Sequence, residues 1–441
     1  MRRRIYIWYR RTERFSRYLR DRLTPVGMLV WVLFFAALIF GLNTQKSMVF
    51  QILAILFSLL TLSRLADRSF APRLSVRRHL PKYGAAGTPL RYPVTVRNLG
   101  TGAEKGLALR ETPEDPTPSF EEWRDTPEPG EERRNRFDRL MRYYRWEWLI
   151  NKRLGATFDP ADLPPIAPGE TRDIELTLTP TRRGVIRLAG LRAERSDPFG
   201  IWERGVVIPA EGRLTVLPRL YPVAPPELCG HRRYHPGGVP SAHKTGDSEE
   251  FTQVREYRPG DPLRKIHWRS TARTGMLTVK EFQNEYFARV GIILDTFLKS
   301  SFSAVLEEAV SVAASYVARS GSDDEMVDLM FVGADAYSFT GGRGVASTDR
   351  MLEILAGVEP CRDRPFDDLL RVVAERADLL CGAVVVLTGW DDRRRRLIET
   401  LEAARVAHLA LLIADDAATV PSTAPVRVLE VGRIAEGLRR L

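Results

Sequence analysis

The sequence predicts a multidomain membrane protein: an N-terminal two-helix membrane hairpin, an antiparallel β-sandwich, and a C-terminal α/β domain of Rossmann type. Three patterns lead there. Two long uncharged runs fall within the first 66 residues, and short alternating runs bounded by Gly, Pro or Asn follow them. The last third then alternates unbroken apolar runs with helical periodicity. With 441 residues, 44% hydrophobic and 28% charged, the chain suits an anchor plus two or three soluble domains with ordinary cores.

Residues 1–22 form a basic segment with nine arginines against two acids, Glu13 and Asp21, which accounts for most of the net charge of +10. A basic stretch before a hydrophobic span is what an anionic inner leaflet attracts, so this charge points to membrane rather than nucleic acid. The hairpin is assigned to residues 23–66. Leu23 to Gln45 carries no charge and is long enough to cross about 30 Å of hydrocarbon. Ser47 to Ser63 is shorter; snorkelling of Arg64 extends it, and the alternative is an interfacial or buried helix. Arginines flank both outer ends, with Arg64, Arg68 and Arg73 after the second run and only Lys46 between the two. The positive-inside rule then puts both ends, and everything after about Asp67, in the cytoplasm. The expected location is the inner membrane, multi-pass, with cytoplasmic soluble domains.

Residues 67–225 read as the sandwich. Tyr92–Asn98, Asp173–Thr179, Gly184–Leu188 and Arg213–Leu217 alternate with period two, as in an immunoglobulin-like sandwich. An insertion interrupts it at about 112–168. Its start is acidic and proline-rich, hence loop, whereas Glu131 to Leu154 has Phe137, Leu140, Met141, Tyr144, Trp148 and Leu149 at helical spacing among basic residues. Such a helix either lies on the bilayer or packs on the sandwich.

Residues 226–285 are a linker and a dense motif, containing Arg255, Tyr257, Pro259, Gly260, Asp261, Arg264, Ile266, Trp268, Ala272, Arg273 and Gly275. At this spacing the segment resembles the hallmark of domain-of-unknown-function family 58. These are membrane-anchored bacterial proteins in which the segment precedes a von Willebrand factor A-like domain. The Ser196-Asp-Pro-Phe-Gly200 run and the apolar helices in front also fit the resemblance. Tyr257 to Asp261 reads as a turn, and an arginine stacked on an indole and forked to a carboxylate would lock the segment. Trp268 and Arg273 are expected as buried staples; Arg255, Tyr257 and Arg258 are expected to be exposed. Arg255, Tyr257, Pro259, Gly260, Asp261, Arg264, Trp268 and Arg273 together are the partner-binding candidates.

Residues 286–441 form the α/β domain, with strands at Val290–Asp295, Val327–Val332, Ala383–Thr388 and Ala407–Ile413 and a helix from Phe302 to Arg319. The resemblance implies a von Willebrand factor A-like fold, whose strand ends often hold a divalent cation on Asp-x-Ser-x-Ser, a distant Thr and a later Asp. Here Asp295 is followed by Phe297 and Lys299 at the two serine positions, and Asp391 is the downstream carboxylate. Hard cations need several convergent oxygens, so these are remnants of a site and no metal or other cofactor is expected.

There is no P-loop, Gly-x-Ser-x-Gly, His-Glu-x-x-His or Cys-x-x-Cys. Cys229, His231, His235 and His243 sit in a Gly- and Pro-rich linker without paired ligand spacing. Three cysteines, Cys229, Cys361 and Cys381, make no disulfide framework and suit a reducing compartment. The reading is a non-enzymatic membrane-anchored scaffold or adaptor whose A-like domain binds proteins. What the resemblance implies for partners is a MoxR-type AAA+ ATPase, in envelope or complex assembly. The rivals are a metal-dependent or Cys/His hydrolase and a nucleic-acid binder.

Overall fold

The computed structural model describes residues 2–41, 47–66, 70–224, 228, 250–261, 263–283, 289–298, 303–320, 326–333, 336–341, 348–416 and 424–440. Expectations at Lys46, Asp67, Arg68, Cys229, His231, His235, His243 and Lys299 lie outside these residues. The chain divides into two compact units, the first taking in Met1–Arg219 and the second most of Leu220–Leu441.

The first unit opens with three helices: α1 (Arg2–Arg20), α2 (Pro25–Gly41) and α3 (Ser47–Ala66). The relative lengths of the two apolar runs are the reverse of the expectation. Among the described residues helix α2 has 17 residues, about 26 Å at 1.5 Å per residue, and Pro25 starts it after a turn at Leu23 and Thr24. Helix α3 contains Met48–Leu65, among the described residues the one helix stretch long and apolar enough to cross a membrane. Both helices leave large apolar side chains uncovered, including Leu29, Val32, Ile52 and Ile55. They touch through Phe34 and Phe57, whose rings stack 6.4 Å apart.

Next comes a two-sheet β domain. Its strands are β1 (Leu74–Arg78), β2 (Tyr83–Ala85), β3 (Leu90–Asn98), β4 (Leu107–Pro113), β5 (Ala156–Asp159), β6 (Ala161–Leu163), β7 (Thr171–Pro180), β8 (Gly184–Ser196) and β9 (Glu203–Leu217). One sheet runs β1-β3-β7-β5 and the other β2-β9-β8-β4-β6. Every described pairing is antiparallel except that of β2 with β9. Alternation puts Tyr92, Val94 and Val96 of β3, Leu176 and Leu178 of β7, and Leu214 and Val216 of β9 into one shared core. Inside that core Glu111 accepts both arms of the Arg78 guanidinium, at 2.9 and 2.6 Å, and the Tyr92 hydroxyl at 2.6 Å. Burial, with the Glu111 charge next in weight, holds the Tyr92 hydroxyl far above its ordinary pKa.

The insertion between β4 and β5 is helical earlier than expected and broken where one helix was expected. Helix α4 (Phe120–Asp125) lies in the proline-rich part, capped by the Ser119 hydroxyl accepting from the Glu122 amide. Then α5 (Arg136–Met141) and α6 (Tyr143–Leu154) are separated by Arg142, whose φ of 56° is left-handed and stops the first helix. The insertion does not pack as a bare helix on the sandwich. Trp123, Trp146, Leu149 and Ile150 form a separate small core with Tyr6 and Tyr9 of α1. The two tyrosines donate to the carbonyls of Pro118 and Met141, at 2.8 and 3.0 Å. Arg145 braces this core, forked to Glu131 at 2.8 and 2.6 Å and donating to the carbonyls of Trp123 and Arg124.

The second unit begins with β10 (Glu250–Glu256), α7 (Trp268–Thr274) and β11 (Thr278–Gln283), a two-stranded ribbon with a helix in its connection. The α/β domain follows with β12 (Arg289–Leu294), α8 (Ala304–Ser320), β13 (Met326–Val332), β14 (Ala336–Gly341), α9 (Thr348–Ala356), α10 (Asp367–Ala377), β15 (Gly382–Leu387), α11 (Asp392–Ala403), β16 (Ala407–Ala414), β17 (Arg427–Glu430) and α12 (Ile434–Arg439). Its sheet order is β14-β13-β12-β15-β16-β17, parallel except for the β13–β14 pair. Helices α10 and α11 cover one face through Leu369, Val373, Leu397 and Leu401, and α8 packs against β12, β13, β15 and β16. Burial on both faces explains the unbroken apolar runs.

Trp123 lies fully buried between α1 and the insertion. Trp123→Ala should therefore destabilise this module by about 3–5 kcal/mol. Thermal melting of the detergent-solubilised full chain, with proteolysis of residues 114–155 as readout, measures it. Melting and cleavage identical to wild type would remove the module from the fold.

Candidate functional site

Two places in the second unit, and one in the first, bring motif residues together. The first is the ribbon. Register pairs Arg255 with Val279 and Glu256 with Thr278, after which the chain turns through Tyr257–Asp261. The Arg255 guanidinium forks onto Asp261 with both contacts at 2.8 Å, and the Arg258 amide donates to the same carboxylate at 2.8 Å. Gly260 takes φ +108°, which a residue with a Cβ rarely adopts, so the turn requires glycine there. Arg255, above all, and the Arg258 amide hold Asp261 down to about 2, so it is ionised throughout the physiological range. Beyond the turn, α7 ends on Gly275, and Ile266, Thr278 and Val279 form the buried side beneath it.

The expected staples are corrected here. Trp268 is 66% exposed and Leu263 69% exposed, while Met276, Leu277, Arg264 and Arg273 also face outward. The lock is the Arg255–Asp261 fork, although Arg255 was expected to be freer. The physical reason is the small size of the element: a seven-residue helix over two strands covers one side only. Tyr257 is half-buried, and its amide donates to Leu277 at 2.8 Å.

The second place is the carboxyl end of the parallel sheet. Asp295, directly after β12, is fully buried. Its Oδ2 accepts from the Thr388 amide and hydroxyl at 3.0 and 2.9 Å, and from Arg394 Nε at 2.6 Å. Arg394 also reaches Asp391 Oδ2 at 2.7 Å and the Phe297 carbonyl at 3.0 Å. Asp391 caps α11, accepting from the amides of Arg393 and Arg394. Burial pulls the Arg394 pKa down, but Asp295 and Asp391 outweigh it and hold the guanidinium above its ordinary value. Thus Asp295 and Asp391, the two carboxylates read as remnants of a cation site, converge on a fixed organic cation. The residues present do not fit a divalent metal, since the guanidinium takes the same oxygens a metal would need.

Arg394 is the residue sequence reasoning missed. The available signal was an arginine three residues after a helix-capping aspartate at a strand end. Beside it lies a cavity of about 370 Å³ lined by Phe297, Leu298, Cys361, Arg362, Phe366 and Arg393 among others. Cys361 is a buried free thiol, whereas Cys381 is disulfide-bonded, which corrects the expectation of three reduced cysteines.

The third place is the Ser196–Gly200 run between β8 and β9. Asp197 accepts from the amides of Ile201 and Trp202 at 2.6 and 2.8 Å, and from the Ser63 hydroxyl of α3. Thr24 donates to the carbonyl of Gly200 at 2.5 Å. Gly27 lies so close to Ile201 that a Cβ would fall 2.1 Å from its carbonyl oxygen. This run is therefore a buckle between the sandwich and both apolar helices.

Removing Arg394 leaves Asp295 buried and unpaired, so Arg394→Ala should cost about 3–5 kcal/mol. The double variant Asp295→Asn with Arg394→Met should recover most of that in urea unfolding. Millimolar magnesium should leave wild-type melting unchanged. A magnesium-dependent rise in Tm that disappears in Asp295→Ala would show that the cation displaces Arg394.

Among known proteins, residues 253–431 match the family described as Protein of unknown function DUF58. An uncharacterised protein, YeaD of Bacillus subtilis, is 26% identical over 219 residues, 50% of this chain and 53% of its own. The chain thus spans about half the length of that curated relative. The CARDB domain of the PF1109 protein from Pyrococcus furiosus is 14% identical over 34% of this chain and 96% of its own, with a TM-score of 0.18. A β-glucosidase from Listeria innocua is 13% identical over 34% of this chain and 17% of its own, with a TM-score of 0.16. At these scores neither structure adds to the fold described above. The hallmark residues and the family match agree: Arg255 to Gly275 fall inside the segment, residues 253–431, that is similar to the family of unknown function DUF58.

Proposed function

We propose that the chain is a non-enzymatic, membrane-anchored scaffold or adaptor whose second unit docks protein partners. The observation that carries this is the outer side of the ribbon. Trp268, Leu263, Met276 and Leu277 are exposed beside Arg264, Arg269 and Arg273. Soluble surfaces seldom leave such a patch open, and Trp and Arg commonly dominate docking faces. The Arg255–Asp261 fork supports the reading by presenting the patch on a fixed turn. A fixed guanidinium at the sheet's carboxyl end supports it too, because it satisfies groups that would otherwise serve a catalytic cation.

In this proposal the α/β domain is von Willebrand factor A-like, and its partner is a MoxR-type AAA+ ATPase, the class the DUF58 resemblance implies. Both α2 and α3 cross the inner membrane as a hairpin, with the shorter α2 aided by local thinning of the bilayer. The arginines before α2 and after α3 put both ends in the cytoplasm. A cytoplasmic ATPase then meets the second unit at the membrane.

Crosslinking and pull-down from native membranes tests this. Trp268→Ala should leave melting unchanged, since exposed substitutions usually fall within about 0.5 kcal/mol. Capture of the AAA+ partner should fall at least roughly tenfold, as for a docking hot spot. A stable Trp268→Ala protein that captures the ATPase as well as wild type would defeat the assignment of this patch.

A further inference from the structure

Helix α1 has two opposite faces with different chemistry. Tyr6, Tyr9, Glu13 and Arg17 recur at intervals of three and four and point one way. They are engaged by protein: the tyrosines by the insertion, Arg17 by Asp115 and Thr117 at 2.9 and 2.7 Å. The opposite stripe is Arg4, Trp8, Arg11, Phe15 and Tyr18, again at intervals of four and three. Trp8 is 56% exposed, Phe15 61% and Tyr18 52%, and both arginines are exposed. Arg22 continues the stripe past the helix end, its guanidinium 4.6 Å from the Tyr18 ring centre. Glu13, the one acid in α1, is on the engaged face.

We propose that α1 is an interfacial helix whose Arg4–Trp8–Arg11–Phe15–Tyr18–Arg22 stripe lies on an anionic lipid surface, clamped from behind by the insertion. Large aromatics interleaved with arginines, without an acid, match the boundary between headgroups and acyl chains. Aromatic rings sink to that boundary while guanidinium groups pair with lipid phosphates. Continuity with the apolar helices selects a bilayer over a nucleic acid. The chain passes from α1 through Leu23, bridged to Trp202, and Thr24 directly into α2. The same 197–202 loop also receives Ser63 near the end of α3. Therefore α1 ends level with the point where both apolar helices meet the sandwich. The insertion then has a definite task. Its Trp123–Trp146 core fixes the rotation of α1, so that the aromatic stripe faces the lipid.

The inference rests on the membrane anchorage proposed above, and one experiment separates the two. The full chain is reconstituted into vesicles of neutral phosphatidylcholine, with or without anionic phosphatidylglycerol. Photoreactive benzoylphenylalanine replaces Trp8, Phe15 or Tyr18 one at a time; Ile55 of α3 serves as a test of anchorage and the exposed sandwich residue Arg91 as a blank. Lipid adducts should form from residues 8, 15, 18 and 55 but not 91. Adducts from 8, 15 and 18 should rise several-fold with anionic lipid, and a combined Arg4→Glu and Arg11→Glu change should abolish that rise. Adducts from 55 alone would overturn the inference and leave the anchor standing. Absence of adducts at 55 would overturn both. Adducts from 8, 15 and 18 to a second protein copy, or their suppression by an added oligonucleotide, would assign the stripe to another partner and end the proposal.

Discussion

The buried carboxylate of Asp197 is the contact on which the first unit depends. A hydrophobic helix pair has no directional preference of its own for a soluble domain. Apolar contact is non-directional, and in lipid the helices gain as much from acyl chains as from protein. Direction has to come from hydrogen bonds. Asp197 supplies them by gathering two backbone amides of its own turn and the Ser63 hydroxyl onto one carboxylate. Thr24 and Gly27 complete the join from the α2 side. Loss of any one partner there would leave a buried charge or donor unsatisfied, which is the expensive outcome. A join of this kind transmits orientation as well as attachment, so the sandwich and α1 are both set with respect to the apolar helices.

The second unit solves a related problem at Asp295. A strand that ends in an aspartate buried at the carboxyl edge of a parallel sheet needs a positive partner. A metal ion is one answer, and it brings open coordination positions and exchangeable water. Arg394 is another. Its planar fork satisfies Asp295, Asp391 and the Phe297 carbonyl at once, and it cannot be lost by chelation or titration. The consequence is a fixed internal ion pair at the carboxyl end of the sheet.

Much of the architecture was legible because single side chains had to obey one period. Tyr92, Val94 and Val96 alternate because one sheet face is buried, and Ile292–Leu294 do not because both are. What was not legible came from contacts distant in sequence. Nothing around Trp123 announces Tyr6 and Tyr9, more than a hundred residues away, and the aromatic spacing in Glu131–Leu154 fits a free amphipathic helix equally well. The left-handed Arg142 is invisible to periodicity, since the pattern of apolar residues carries across it. By contrast, α4 left a readable trace: Ser119 followed three residues later by Glu122 has the sequence pattern of a helix start, and the Ser119 hydroxyl does cap the helix. In the motif, Trp268 and Arg273 were expected to be buried and are exposed, because their exposure depends on how little a seven-residue helix can cover.

These pieces order the chain's two kinds of exposed aromatic surface. Trp8, Phe15 and Tyr18 belong to a stripe continuous with the apolar helices, while Trp268 belongs to a ribbon in a separate unit. Both patches mix aromatics with arginine, so composition alone does not distinguish a lipid-facing from a protein-facing surface. Under the two proposals made above, backbone support does. The α1 stripe is one face of a regular helix, with five side chains spread from Arg4 to Tyr18, which suits a planar boundary. The ribbon patch is compact, set on a tight turn that a bidentate ion pair holds fixed, which suits a shaped pocket on a protein. A planar partner needs a line of contacts; a folded partner needs a few fixed anchors.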